Sequence, residues 1–113
     1  MSKRGDREFI YDIIEACRRI ERYTQGLSYE DFLENPEKQD AVIRNIEIIG
    51  EAVKRLSSDL KERYKELDWK KIAGMRDKLI HHHFGIDIEI VWVVVKKEIP
   101  KLLQEMEKIL DGF

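Results

Sequence analysis

Between Ile88 and Leu110 the apolar residues keep one helical phase. Turned by about 100° per residue, Ile88, Val91, Trp92, Val95, Ile99, Leu102, Leu103, Met106, Ile109 and Leu110 fall within about 120° of one another. Ile86-Asp87-Ile88-Glu89-Ile90 alternates locally as a strand does, and Val91 to Val95 is rich in strand-forming residues. A strand would not hold the helical phase over so long a stretch, so one continuous helix is expected. Pro100 lies away from the stripe and predicts a kink, not an end. The first half also carries a second apolar face, Ile86, Ile90, Val93 and Val94. That face requires a second cover, either another copy of the chain or a loop or short helix of the same one.

The same periodicity organises the chain upstream. A first helix, with Asp6 as its cap, is expected to run to about Thr24. It puts Phe9, Ile10, Ile13, Ile14, Ala16, Cys17, Ile20 and Tyr23 on one broad side. Gly26 stops it, and Ser28-Tyr29-Glu30-Asp31 has the form of a capping box for a short helical turn. Pro36 suits the first position of a second long helix reaching about Ser57. Its buried stripe is Val42, Ile43, Ile46, Ile49, Val53 and Leu56, while Arg44, Glu51 and Arg55 share the opposite side with Glu47 and Lys54 beside them. These charges suit a solvated or dimer-facing ion network better than catalysis. Gly50 falls within the buried stripe, where glycine costs about 1 kcal/mol relative to alanine. Close approach of a neighbouring helix would account for it. Ser58 is placed as the cap of a short helix from Asp59 to about Glu66. Asp68 is placed as the cap of another, which is expected to pass through Gly74 and end with Gly85 as its C-cap. Trp69, Trp92 and Cys17 read as core packing.

The pattern predicts an all-α protein of four to five helices. With 113 residues and no repeat or linker, one domain spanning residues 1–113 is expected. A net charge of −2 does not mark a strongly basic nucleic-acid binder, although it is compatible with a local basic patch. Cys17 has no intrachain partner, residues 1–6 carry no apolar leader, and no apolar run is long enough to cross a bilayer. A cytoplasmic protein without membrane contact is expected.

Chemistry-bearing groups concentrate in one place. The three histidines, His81, His82 and His83, follow Arg76 closely, and Gly85 comes soon after. Histidine moves protons near neutral pH, and arginine presents a planar fork to phosphate oxygens. The pair suits metal-free cleavage of RNA, in which a base takes the 2′-hydroxyl proton and the guanidinium stabilises the phosphorane. On a regular helix Arg76 lies about 140° from His81 but about 20° from His83. Either His83 is the partner, or the helix loosens and His81 swings round, or a second subunit completes the site. Blander options remain open at this level. The histidines could serve a helix end, with Arg76 paired to Asp77 or Glu89. His81 and His83 in an extended loop could also chelate a metal with Asp87, but no further ligands support that, and no metal or cofactor is expected.

Residues 44–57 (RNIEIIGEAVKRLS), 69–81 (WKKIAGMRDKLIH) and 84–92 (FGIDIEIVW) resemble the HepT-like proteins of the HEPN superfamily, the toxin half of the HepT–MntA toxin–antitoxin systems. The resemblance covers nearly the whole chain. It implies an up-and-down helical bundle of four to five helices that forms a symmetric homodimer, and a metal-independent endoribonuclease whose arginine and histidine line the cleft between subunits. The family's motif is Arg, four residues, His, one residue, Tyr. Arg76 and His81 match its catalytic pair. His83 stands at the tyrosine position and Asp77 where asparagine is usual. In the family the nucleotidyltransferase antitoxin, MntA, silences the toxin by transferring AMP to that tyrosine. His83 has no hydroxyl, so neutralisation of this chain by a cognate MntA-like partner is expected to proceed by binding. Asp77 would weaken or orient Arg76, and His83 would assist. Two alternatives remain: a catalytically inactive dimeric partner of a nucleotidyltransferase, or a helical protein binding a nucleotide in the same cleft.

Overall fold

The computed structural model describes residues 4–80 and 85–113. It is all-α among those residues, apart from a single antiparallel bridge between Ile80 and Ile86. The elements are α1 (Asp6–Thr24), α2 (Tyr29–Leu33), α3 (Pro36–Arg55), α4 (Ser58–Arg63), α5 (Trp69–Ala73), a 3-10 turn (Asp77–Leu79), α6 (Ile88–Val93), a π turn (Val94–Glu98) and α7 (Ile99–Asp111). None of the described helices is long and apolar enough to cross a membrane.

Helix α1 is the centre of the bundle and packs on both α3 and α7. Its apolar side is buried as the periodicity predicts, with Ile10, Ile13, Ile14, Ala16, Cys17 and Ile20 in the core. Burial of each large aliphatic chain contributes about 1.5–3 kcal/mol. Gly5, not Asp6, occupies the N-cap. The Asp6 carboxylate is used elsewhere. It accepts from the Ser57 backbone N–H at 2.8 Å and from the Ser57 hydroxyl at 2.5 Å. Ser57 follows α3, so this contact joins the start of α1 to the end of α3 and makes the two antiparallel. Arg18 meets Glu107 at 2.9 Å, and Leu110 lies beside Glu8 and Tyr11, so α7 is antiparallel to α1 as well. The up-and-down arrangement follows from these contacts.

The predicted capping box is present: Asp31 N–H donates to Ser28 Oγ and Ser28 N–H to Asp31 Oδ2. Pro36 sits in the first turn of α3 behind the Asn35 cap. At the other end α3 stops at Arg55 and Ser57 caps α4, each slightly before the expected position. Ser57 wins the cap because its hydroxyl accepts from Leu60 N–H while donating to Asp6.

The C-terminal stripe is helical and faces the core. Pro100 is accommodated by the π turn just before it, which widens the helix where a proline ring would press on the carbonyl of the preceding turn. Val94 does not belong to a second face. It is fully buried in the main core. Ile86 and Ile90 are partly buried against that core, and α6 packs on the 3-10 turn, leaving Val93 exposed. The chain itself therefore covers most of what periodicity set apart as a second apolar face.

Candidate functional site

The stretch carrying Arg76 is not the continuous helix that the sequence suggests. Asp68 caps α5 as expected, accepting from Lys71 N–H at 3.0 Å. Trp69 is buried, and its indole N–H donates to the Tyr64 carbonyl at 3.1 Å, which anchors the helix start. The helix then ends at Ala73, on reaching Gly74. Glycine's low helix propensity was the signal available for this break. Met75 and Leu79 are buried on either side of Arg76, Asp77 and Lys78, which are exposed. Two apolar anchors thus hold a short run of charged side chains outward, outside any α-helix. Helical angles between Arg76 and the histidines do not apply to it. Gly85 has a left-handed φ of 81° but directly precedes the bridge residue Ile86 and caps no described helix. His81, His82, His83 and Phe84 lie outside the described residues, so the placement of His81 and His83 in the site rests on the sequence.

Arg76 borders a groove between α3 and the end of α5. The groove has a volume of about 430 Å³ and is lined by Arg44, Glu47, Gly50, Glu51, Lys54, Ala73, Arg76 and Asp77. Gly50 explains why α5 comes so close. A Cβ there would lie 3.1 Å from the Ala73 carbonyl oxygen, so only a residue without a side chain lets that backbone approach α3 unhindered. The close approach expected from Gly50 is therefore present. Near this contact the Arg76 Nε faces the Glu47 carboxylate at 3.6 Å. That is an ion pair too long for a direct hydrogen bond. It is half-exposed and contributes about 0–1 kcal/mol to stability. Neither Asp77 nor Glu89 takes the role of partner to Arg76 among the described ion pairs. Lys78 pairs instead with Glu98 of the π turn, tying the far side of the same run to the C-terminal helix.

The charged residues Arg44, Glu51 and Arg55 of α3 are exposed, as their place opposite the buried stripe predicts. Arg44, Glu51 and Arg55 form no ion pair with one another among the described residues. Arg44 and Glu51 line the groove instead, with Lys54 and Glu47, while Arg55 is outside it. Periodicity placed these residues on one side of the helix but could not show what faces that side. Asp87, considered above as a third metal ligand, is committed to α6: its Oδ1 accepts from Ile90 N–H, and its own N–H donates to the Leu79 carbonyl at 2.7 Å. Cys17 offers no nucleophile. Burial pushes its thiol up to about 12, with Glu21 and Glu107 adding to the shift.

The groove can therefore present a guanidinium to an anion, with two further cations, Arg44 and Lys54, on its α3 wall. Three carboxylates, Glu47, Glu51 and Asp77, line it as well, so its attraction for a polyanion is local and not broad.

Comparison with known proteins gives the family. The profile of the ribonuclease HepT-like family matches residues 13–109. The chain is 45% identical to the "Probable ribonuclease HepT" of Thermococcus cleftensis, over 95% of this chain and 97% of that protein. A Methanocaldococcus jannaschii protein whose name marks it as a candidate RNase is 46% identical over 97% of this chain and 91% of its own length. A similarly named protein of Caldanaerobacter subterraneus is 42% identical over 93% and 94%. No solved structure matches the chain significantly. The match of this profile to residues 13–109, with identities of 42–46% over nearly the whole of each chain, shows that the chain belongs to the ribonuclease HepT-like family.

Proposed function

We propose that the chain is an endoribonuclease that cleaves RNA without a metal, acting as one HepT-like domain over residues 1–113 and as the toxin of a toxin–antitoxin pair. Arg76 binds the scissile phosphate and stabilises the phosphorane. His81 takes the 2′-hydroxyl proton, and a protonated imidazole returns one to the departing 5′-oxygen as the P–O5′ bond breaks. The products are a 2′,3′-cyclic phosphate and a 5′-hydroxyl. His83 and Asp77 assist, the first as a second imidazole and the second by orienting the guanidinium beside it. Two copies of the chain would line one cleft. A cognate MntA-like nucleotidyltransferase would silence it by binding, because His83 offers no hydroxyl for AMP.

The observation that carries this proposal is the setting of Arg76. It sits at the edge of a groove, between buried Met75 and Leu79, and its side chain contacts a long helix. The test is cleavage of single-stranded RNA by the purified full chain in EDTA. The expected result is cyclic-phosphate ends, with activity lost in both Arg76→Ala and His81→Ala. Undiminished cleavage in those variants, or cleavage that stops in EDTA and returns with a divalent ion, would refute the assignment.

A further inference from the structure

The Arg76 guanidinium stands on a run with little regular structure of its own. Helix α5 has ended at Ala73, and the 3-10 turn begins only at Asp77. Backbone hydrogen bonds within that run are local, Asp77 N–H to the Gly74 carbonyl and Leu79 N–H to that of Arg76. An arginine side chain has many rotamers, and nothing in so short a turn selects one. Helix α3 is the opposite kind of element. It is long, capped by Asn35 and packed on α1, so a side chain projecting from its middle has a fixed origin.

We propose that Glu47 is a positioning residue for Arg76, aiming its guanidinium into the groove so that the terminal nitrogens meet the phosphate of a single-stranded RNA substrate. This rests on the reading of Arg76 as the phosphate-binding group. Three observations converge on it. First, the α3 carboxylate contacts Nε, at 3.6 Å. The terminal nitrogens, which form a fork that fits two phosphate oxygens, lie beyond that atom at the end of the side chain. Second, the contact lies beside the Gly50–Ala73 approach. Glu47 is about one helical turn before Gly50, and Arg76 is three residues after Ala73. The backbone contact sets the spacing, and the ion pair reads it out one step along. Third, stability does not explain the pair, because a half-exposed ion pair has little effect on folding. A carboxylate next to the anion-binding group also opposes substrate binding in general, so its presence requires a compensating use.

The opposed effects give a signature that a merely structural ion pair would not produce. Glu47→Gln keeps the side chain's shape and removes a negative charge from the groove. The apparent KM for a random-sequence single-stranded RNA pool is therefore expected to stay level or fall, while kcat drops by on the order of 10- to 100-fold, the penalty for a misplaced catalytic group. Glu47→Asp keeps the charge and is expected to recover part of kcat. In an Arg76→Ala background Glu47→Gln is expected to have no further effect on residual cleavage. Melting temperatures of all variants are read alongside, and the Asp variant carries the test if Gln impairs folding. A Glu47→Gln protein with wild-type kcat, beside an inactive Arg76→Ala, overturns the positioning role and leaves the role of Arg76 intact. An equal loss of kcat with and without Arg76 also overturns it, because Glu47 would then act on the substrate directly. Full activity in Arg76→Ala removes the reading on which the inference stands.

Discussion

The bundle of α1, α3 and α7 and the run from Gly74 to Ile80 obey different rules. In the bundle, side-chain identity repeats with the helical period, and burial follows it: Ile10, Ile13, Cys17 and Ile20 on α1 face Val42, Ile46, Ile49 and Val53 on α3 or the α7 side chains Ile99, Leu102 and Met106. Many weak contacts agree on one answer, so changing one weakens the whole without redirecting it. In the Gly74 to Ile80 run, a few particular contacts determine the outcome: the Gly50–Ala73 approach, the buried side chains of Met75 and Leu79, the Ile80–Ile86 bridge and two ion pairs. Stability resides in the first region and the candidate chemistry in the second. Substitutions should therefore separate cleanly into those that unfold the protein and those that silence it.

The largest effect expected is on the bundle. Ile46→Ala removes a fully buried side chain facing α1 and should destabilise the fold by about 2–5 kcal/mol. Urea unfolding would show it as a lower midpoint. Activity per folded molecule should be unchanged, and a specific loss of turnover at full folding would break the comparison. The converse is Arg76→Ala. Its ion pair contributes little to folding, so the melting temperature should hold. RNA cleavage should fall by on the order of 10²–10³-fold, as when one preorganised donor to a developing oxyanion is removed.

This division also governs what could be read from the sequence. The α1 boundaries, the Ser28–Asp31 capping box, Pro36 at the start of α3 and the helical C-terminal stripe are all present, because each is set by near neighbours in sequence or by a long repeat. Asp6 was misplaced as a cap because its partner, Ser57, is distant in sequence. Val94 was misplaced because a helical wheel gives a direction and not the neighbour lying there. For the candidate site, the sequence offered residue types and no geometry. Arg76 stood out by its spacing to His81. Glu47 did not, since one carboxylate among several on an exposed helix face has no signature until the opposite wall of the groove is known. Gly74, inside a run otherwise well suited to helix, was the clue that a different local structure begins there.

Gly50→Val tests the hinge between the two regions. The added side chain must displace the Ala73 carbonyl, which would lie 3.1 Å from its Cβ, and overpacking of this kind costs about 1–3 kcal/mol. Because Glu47 and Arg76 meet beside that contact, cleavage should fall by more than the loss of folded protein accounts for. Measuring kcat on material shown to be folded by circular dichroism separates the two. If kcat tracks the folded fraction alone, the run carrying Arg76 does not depend on its seat against α3.

The smallest effect belongs to Cys17, which reports on the bundle alone. Its thiol is raised from 9.0 to about 12 in the folded protein, chiefly by burial and further by Glu21 and Glu107. The folded state therefore holds the proton more tightly than the unfolded chain does. Below pH 9 both states are protonated, and the neutral thiol's contribution to stability is fully present. As pH rises from about 9 towards about 12, the unfolded chain ionises and the folded one does not, so stability declines across that window. Cys17→Ala provides the reference: its stability should fall less steeply over the same range. The thiol should also resist alkylation at pH 8 until the bundle opens, giving a labelling rate that Ile46→Ala accelerates and Arg76→Ala leaves unchanged. Equal acceleration by both would mean that the groove and the core open together, and the two regions would then be one.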